Sequence, residues 1–257
     1  MTKKIRQNKK IARRRRKIAL RRFWYFFRIF LMLVFFGAAI YGINLFYNSN
    51  YFKVKEIDIE GNDHYADQEL MAYVSMYKGS NIFEVDKKEV EEGLLSQFYW
   101  LKEADLRKIF PNSINITVSE RRPHIIAYFA GDYFLLDREG VVLEKIGKER
   151  ALQMDRICLV KNALTYSPEP GDKVAQKNAL SCGDIFLAMD NDLKDYFKEA
   201  RLEKTGEIVF IAHDNRKVVF GTSEDISQKL GILKELLREE ITYTKIDLNN
   251  FEIPVIN

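Results

Sequence analysis

The chain has 257 residues, of which 41 are lysine or arginine and 37 are aspartate or glutamate. Thirteen of the basic residues lie in the first 28 positions, where there is no acidic residue, so 28 basic and 37 acidic residues remain and residues 29–257 carry a net charge of −9. This asymmetry argues against a uniformly basic nucleic-acid-binding domain, and we expect no nucleic-acid partner. Two cysteines are too few for a disulfide framework, and a hydrophobic content of 47% excludes disorder throughout the chain.

An apolar segment follows the basic tail. Residues 29–47 contain no charged side chain, and the aromatic residues before them extend the segment to residue 23, with Arg28 as its interruption. About 20 helical residues cross the roughly 30 Å hydrocarbon core of a bilayer, so we expect a basic tail over residues 1–22 and a transmembrane helix over residues 23–47. A cleaved signal peptide is disfavoured because no small-residue cleavage site follows, and a buried core helix because the segment is apolar on every face.

The charge distribution around this segment predicts its orientation. Basic residues crowd its N-terminal side, whereas only Lys53 and Lys55 follow it closely, and loops rich in lysine and arginine stay in the cytoplasm. We therefore expect a single-pass protein of the plasma membrane, with a cytoplasmic N-terminus and residues 48–257 outside. The basic tail is also a candidate for contact with anionic membrane lipid.

Residues 52–118 have the spacings of a small β-α-α-β-β unit. The first strand is predicted over residues 52–60, where a change of phase in the apolar alternation indicates a bulge. Asp67 and Asp86 stand in the N-cap positions of two helices. The two remaining strands are predicted around residues 104–106 and 114–118, with a turn at Pro111 between them.

Beyond Pro123 the pattern becomes β-rich, with short apolar runs separated by turns that contain glycine or aspartate. A helix over residues 175–189 and another, capped by Ser223 and apolar at helical spacing, are predicted to pack on a sheet. The predicted strands cover residues 125–129, 133–136, 141–143, 157–160, 207–212, 217–220, 245–248 and 251–256.

Two sets of motifs follow the apolar segment. The set in the β-rich part comprises Tyr133, Leu135, Asp137, Gly140, Val141, Val219, Gly221, Lys229, Leu230 and the triplet Ile246-Asp247-Leu248. The set before it comprises Phe52, Val54, Gly61, Asn62, Gly79, Asn81, Ile82, Phe83, Trp100, Pro111, Glu120, Arg121 and Pro123.

In their order, their spacing and their place behind one membrane span, these motifs resemble those of the FtsQ/DivIB family of bacterial cell-division proteins. The resemblance extends over nearly the whole chain. It implies an α+β fold in which a single transmembrane helix precedes a POTRA domain of β-α-α-β-β order, over residues 50–121. A mixed β domain with helices packed on its sheet follows, over residues 122–257, and ends in a partner-binding strand.

The same resemblance implies a function. Members of the family are non-enzymatic scaffolds of the divisome, so we expect partners resembling FtsB/DivIC and FtsL and a concentration at the division septum. Two other classes stay open: another membrane-tethered POTRA adaptor, and a membrane-anchored cell-wall enzyme, which requires carboxylates or a nucleophile that converge in a pocket.

The last strand is the expected partner-binding element, because a terminal strand can pair with an extended segment of another protein. The alternative is an edge strand protected by Pro254 and Glu252. Charged replacements of Ile246 or Leu248 are expected to abolish binding while the domain stays folded. Asn249 and Asn250 stand where the family often has a basic residue. The expected contact residues are Ile246, Asp247, Leu248, Asn249, Phe251, Ile253 and Val255.

The residues that usually carry catalysis form no persuasive pattern. His64, His124 and His213 are far apart and lack metal-ligand spacing, so we expect no enzyme activity, metal, cofactor or small-molecule substrate. Cys158 and Cys182 could pair outside the membrane, but two buried free thiols are the favoured interpretation, since pairing requires Cα atoms within about 7 Å.

Overall fold

The structure, a computed structural model, describes residues 2–174, 177–239, 242–251 and 253–256, with side chains from Arg21 onward. Helix α1 covers Thr2–Tyr47. The segment Arg21–Phe52 has a mean hydropathy of 2.2 in its most apolar window, and that window is not buried by other parts of the protein. By length and composition the segment is therefore a candidate membrane span.

The remaining elements alternate between short helices and strands. The helices are α2 Asp67–Val74, α3 Lys87–Gln97, α4 Lys148–Gln153, α5 Lys177–Ala188, α6 Asn191–Tyr196 and α7 Ile226–Arg238. The strands are β1 Glu56–Glu60, β2 Leu101–Ile109, β3 Ser113–Glu120, β4 Pro123–Phe129, β5 Asp132–Asp137, β6 Val142–Ile146, β7 Cys158–Lys161, β8 Phe197–Leu202, β9 Ile208–Ala212, β10 Lys217–Gly221, β11 Lys245–Asp247 and β12 Val255–Ile256.

The backbone contacts divide the chain into two compact units. The first comprises residues up to Ile57 with Tyr77–Val85 and Lys108–Ile114. The second comprises Asp58–Met76, Asp86–Arg107 and the chain from Asn115 onward.

A three-stranded sheet has the order β1-β3-β2, and α2 and α3 stand between β1 and β2 in the chain, so the predicted β-α-α-β-β order is confirmed. Asp86 caps α3 as predicted, since its carboxylate accepts hydrogen bonds from the backbone N–H groups of Lys88 and Glu89. The prediction for α2 was wrong: Ala66 is the N-cap, and Asp67 is the first helical residue.

The predicted strand over residues 52–60 is also only half correct. A 3₁₀ helix covers Asn50–Phe52, and β1 begins at Glu56. Phe52 and Val54 are nevertheless buried, and the backbone N–H of Val54 donates to the carbonyl of Ser80 at 2.9 Å. The apolar residues are thus inside as expected, but the change of phase marks the end of a 3₁₀ turn instead of a bulge.

The second sheet has nine strands in the order β12-β11-β10-β9-β8-β7-β4-β5-β6. The pairs β4–β7, β7–β8 and β10–β11 are parallel, and the other neighbours are antiparallel. Helix α5 packs on β4, β7 and β8, and α7 contacts α5. The fold is therefore α+β, as expected.

Both faces of this sheet are covered. In β5, Phe134 and Leu136 belong to the large core under α5 and α7, whereas Tyr133 and Leu135 belong to a second apolar cluster. Neighbouring side chains of a strand point to opposite faces, so a strand buried on both faces is apolar throughout. This explains the continuous apolar runs in β4, β5 and β9.

Three elements escaped prediction: α4, α6 and β8. The sequence of β8 is FKEARL. Its three charged residues are typical of an exposed segment, so the pattern did not predict a strand in the middle of the sheet. The Glu199 side chain is only 6% exposed and forms ion pairs with Lys161 at 2.8 Å and Arg201 at 2.6 Å. Burial alone raises the pKa of Glu199, but the hydrogen bonds from Lys161 and Arg201 outweigh burial and lower it. The buried carboxylate is tolerated because it is paired.

The predicted cap of α7 was wrong as well. Asp225, with a left-handed φ of 54°, precedes Ile226, and its side chain makes no capping hydrogen bond. The buried apolar positions Leu230 and Leu233 still face the core, since helical spacing and not the cap determines which face is buried.

Cys158 and Cys182 are both buried free thiols, which confirms the favoured interpretation. Burial raises the pKa of the Cys158 thiol well above its ordinary value and that of Cys182 to about 12. Thiolate, the reactive form, is therefore scarce at neutral pH.

We expect the folded chain to be unreactive toward a thiol-specific chromogenic reagent at neutral pH and to react at both cysteines once it is unfolded in guanidinium without reductant. Burial and the raised thiol pKa values are the physical reason. Fewer than two titratable thiols in denaturant would contradict the free-thiol state.

Candidate functional site

The C-terminal strands complete one end of the nine-stranded sheet. β11 pairs in parallel with β10, where Ile246 stands opposite Val218, and antiparallel with β12, where Ile246 stands opposite Ile256. Ile246 is 1% exposed and Leu248 is fully buried, and both belong to the main core. Because both side chains are buried, we expect a charge at either position to destabilise the domain as well as to affect binding.

The edge of the sheet is β12, which lies beyond β11. Within the described residues no strand pairs with its outer side. Ile253 and Val255 are 71% and 53% exposed, and Phe251 is half-buried. Of the seven expected contact residues, these last three alone combine an apolar side chain with access to solvent.

Asp247 and Asn249 stabilise the turn that follows β11. The Asp247 carboxylate accepts from the Asn249 backbone N–H and from Lys245 Nζ, at 3.1 and 3.0 Å. Burial raises the pKa of Asp247, but these hydrogen bonds outweigh it, and the pKa lies below its usual value. Asn249 Nδ2 donates to Glu207 at 2.9 Å, so the asparagine that departs from the family pattern has a structural role here.

A cavity of about 440 Å³ lies where the chain enters β11. The Arg216 guanidinium stands 4.5 Å from the centre of the Tyr243 ring, and the hydroxyls of Tyr196 and Tyr243 are 2.5 Å apart. Burial, and then the hydrogen bond with Tyr196, raise the pKa of Tyr243 well above its ordinary value. Sequence reasoning missed this site because the two tyrosines are 47 residues apart. The lining also includes Asp190, Lys234, Leu237 and Arg238.

Trp100 is 8% exposed and belongs to the second apolar cluster of the large sheet, with Ile126 and Leu135. His64 stacks on the indole, with ring centres 3.8 Å apart. The burial of the indole indicates a structural role for Trp100. Its core is on the second face of the nine-stranded sheet.

Arg121 and Glu120 are less exposed than expected for a charged strand end. The Arg121 side chain is 15% exposed and pairs with Asp137 at 2.6 Å and Glu139 at 3.1 Å. Burial alone lowers the pKa of Arg121, but the hydrogen bonds to the two carboxylates raise it overall. Glu120 accepts hydrogen bonds from the backbone N–H groups of His64 and Tyr65. Both residues therefore hold neighbouring segments together.

The glycine and asparagine motifs support turns. Gly61 has a φ of 95°, and a Cβ there would lie 2.1 Å from the carbonyl oxygen of Val118, so only glycine fits. Asn62 Nδ2 donates to the Tyr65 carbonyl and to Asp67. Gly79 also has a positive φ, of 85°. The two prolines of the motif set lie at or near strand ends: Pro111 is in the turn between β2 and β3, and Pro123 begins β4.

Ile82 and Phe83 behave differently from one another. Ile82 is fully buried, whereas Phe83 is 42% exposed and stacks on Tyr47 at the end of α1, with ring centres 5.2 Å apart. Phe83 thus does not fill a core gap as its neighbour does. Asn81 connects the same two segments, since its Nδ2 donates to the Tyr47 carbonyl at 2.7 Å.

Two of the three histidines have structural contacts with their neighbours. His124 is buried, with Nε2 2.9 Å from the carbonyl oxygen of Leu180, and His64 stacks on Trp100. His213 lines a separate cavity together with Phe210. In the described part of the chain, no three histidine, cysteine or acidic side chains come close enough to hold a metal ion.

Comparison with known families identifies both parts of the chain that follow the apolar segment. The FtsQ-type POTRA domain matches residues 52–121, and the C-terminal domain of the cell division protein FtsQ/DivIB matches residues 126–249. The chain belongs to the FtsQ/DivIB family. The edge strand β12 lies beyond the second match.

Individual relatives of the FtsQ/DivIB family agree. Cell division protein DivIB of Clostridium acetobutylicum is 27% identical over 70% of this chain and 72% of that protein. Cell division protein FtsQ of Chloroflexus aurantiacus is 27% identical over 78% of this chain and 72% of that protein. A solved extracytoplasmic domain of DivIB from Geobacillus stearothermophilus covers 48% of this chain and 99% of its own at 13% identity, with a TM-score of 0.30, too low to support a structural argument.

We expect Ile246→Asp to lower the free energy of unfolding by about 3 kcal/mol or more, because an unpaired charge would replace a buried aliphatic side chain. Ile253→Asp is the matched control at an exposed position just before β12, and a surface change of this kind stays within about 0.5 kcal/mol. Urea unfolding of the detergent-solubilised chain measures both. Equal stability of the two variants would contradict the buried position of Ile246.

Proposed function

We propose that the chain is a non-enzymatic scaffold of the divisome, anchored in the plasma membrane, that holds other division proteins at the septum through its external domains. Proteins resembling FtsB/DivIC and FtsL are the proposed partners. Membership of the FtsQ/DivIB family supports a role in cell division. The partners and the septal position are our proposals from that membership.

The observation that carries the proposal is the outer side of β12, with which no strand of the described residues pairs. A sheet edge presents backbone N–H and C=O groups that pair with an extended segment of another protein. Exposed Ile253 and Val255 provide apolar contact beside this edge. Affinity would thus come from backbone hydrogen bonds, and specificity from the side chains next to them.

The cavity at the start of β11 supports a second contact. Because β12 is antiparallel to β11, with Ile256 opposite Ile246 and Val255 opposite Asp247, the chain end runs toward the start of β11. Arg216, Tyr243 and residues of α7 surround the cavity there. A strand added to β12 could therefore continue into a helix or turn that contacts this cavity.

The membrane part of the proposal rests on the candidate span and the basic tail. The apolar segment has the length and composition of a membrane span, and cations concentrate on its N-terminal side. A cytoplasmic N-terminus and an external C-terminal part follow from this asymmetry. The cations of the tail would also contact anionic lipid on the cytoplasmic side.

We expect the double variant Ile253→Asp/Val255→Asp to bind a DivIC-like partner at least about tenfold more weakly, because two apolar contacts beside the added strand are replaced by charges. Co-purification of the full chain with its partner from membranes measures the effect. Tyr166→Asp, at an exposed aromatic position outside β11 and β12, is the control and should bind normally. Unchanged binding by the double variant would overturn the edge-strand mechanism.

We expect a fluorescent fusion of the chain to form a band at mid-cell in dividing bacteria. A uniform membrane signal would favour a membrane-tethered POTRA adaptor outside the divisome. The same fusion with the double substitution at Ile253 and Val255 separates recruitment from partner capture. A band that persists in that variant places recruitment elsewhere in the chain.

A further inference from the structure

Five aromatic rings form a continuous group at the C-terminal end of α1, which we name the aromatic collar. Its centre is Phe83, whose ring lies 5.2 Å from Tyr47, 5.1 Å from Phe52 and 5.3 Å from Phe110. Phe52 in turn packs edge-on against Phe46 at 4.9 Å. The collar thus joins the end of the candidate membrane span to two distant residues. Phe83 follows Tyr47 by more than 30 positions, and Phe110 follows it by more than 60.

Hydrogen bonds hold the collar in place. Asn81 Nδ2 donates to the Tyr47 carbonyl at 2.7 Å, and Asn81 Oδ1 accepts from the Phe83 N–H at 3.0 Å. The Ile82 N–H donates to the Phe52 carbonyl at 2.9 Å. The position of Phe83 relative to the end of the helix is therefore set by the backbone as well as by ring contact.

The collar leaves much apolar surface exposed. Phe83, Phe110 and the adjacent Ile109 are 42%, 56% and 53% exposed, and Tyr51 is 60% exposed. Isolated apolar residues on a surface need no explanation, but a contiguous group of this kind marks an interaction surface. Exposed residues of both charges lie near it in the sequence, namely Lys53, Lys55, Lys78, Glu56 and Glu84. Because these charges are mixed in sign, the surface is better described as apolar and aromatic than as basic.

Continuity with the span identifies what covers this surface. The polar interfacial zone on each side of a bilayer is about 5–8 Å thick, and aromatic rings concentrate in it. The Tyr47 ring ends the apolar helix and is stacked 5.2 Å from the Phe83 ring. A bilayer that contains α1 up to Tyr47 therefore places Phe83 at the depth of its interface.

We propose that the exposed side of the aromatic collar, with Phe83, Phe110 and Ile109, docks into the external interface of the same bilayer that α1 spans. This inference rests on the proposed membrane anchor and goes beyond it, since it assigns a lipid-binding surface to the external domain next to the membrane. Because the surface is apolar with mixed charges around it, docking does not require anionic lipid.

The test uses the full chain reconstituted in phosphatidylcholine vesicles. Ile109→Cys carries an environment-sensitive fluorophore, and the native Cys158 and Cys182 are buried and stay unlabelled. Lipids with a nitroxide near the headgroup report contact with the interface, and aqueous iodide reports contact with water. We expect strong quenching by the nitroxide lipid, weak quenching by iodide and blue-shifted emission.

Two further samples make the result decisive. Phe83→Ser/Phe110→Ser in the Ile109→Cys background removes the apolar rings, and its label should move into water while circular dichroism shows an unchanged thermal transition. Phe36→Cys, within the candidate span, should be quenched by nitroxides deep in the acyl chains. This second label tests the anchor independently of the collar.

The outcomes separate the two proposals. A lipid-quenched label at Phe36 with a water-exposed label at Ile109 overturns docking and leaves the anchor intact. Water exposure at both positions overturns the anchor and the docking together. Protection at Ile109 that appears only with an added division protein, or that grows with the protein-to-lipid ratio, assigns the surface to a protein and overturns the bilayer as its occupant.

Discussion

Burial of Trp100 on the second face of the nine-stranded sheet is the interaction on which the structure beyond α1 depends. A sheet whose strands are apolar on both faces must be covered on both, and α5 and α7 cover only one. The indole and Ala151 of α4 cover part of the other face, in one cluster with the strand residues Ile126 and Leu135. Trp100, which ends the linker between α3 and β2, is therefore part of the core of the larger sheet.

An ion-pair network reinforces this contact. Arg121 lies between the two sheets in sequence and binds buried Asp137, while Glu139 accepts from both Arg121 and Lys102. The Arg121 backbone N–H donates to the Trp100 carbonyl at 2.7 Å. A buried pair of this kind contributes less to stability than to a defined geometry, because desolvation offsets much of its attraction. It holds β4 in a fixed register beside Trp100.

The proposed scaffold role needs surfaces, and two candidates are far apart in the sequence. Near the C-terminus, backbone groups of β12 and exposed Ile253 and Val255 form the proposed surface for protein partners. At the end of α1, the exposed side of the aromatic collar is the proposed surface for lipid. Arg121 and Glu199, whose pKa values are shifted, lie away from both surfaces in the sequence and are held in structural ion pairs.

The sequence by itself determined the order of elements, because apolar spacing depends only on which face of a helix or strand is buried. It predicted the span, the β-α-α-β-β order and most strands of the large sheet. It failed at β8, because Glu199 has the character of a surface residue in the sequence. In the folded sheet Glu199 is buried and paired with Lys161 and Arg201. It also placed Ile246 and Leu248 among the expected partner contacts, and the structure buries both side chains in the core. Pairing between distant segments decided these cases, since whether a charged or apolar side chain meets solvent, a partner or the core is a property of the assembled sheet.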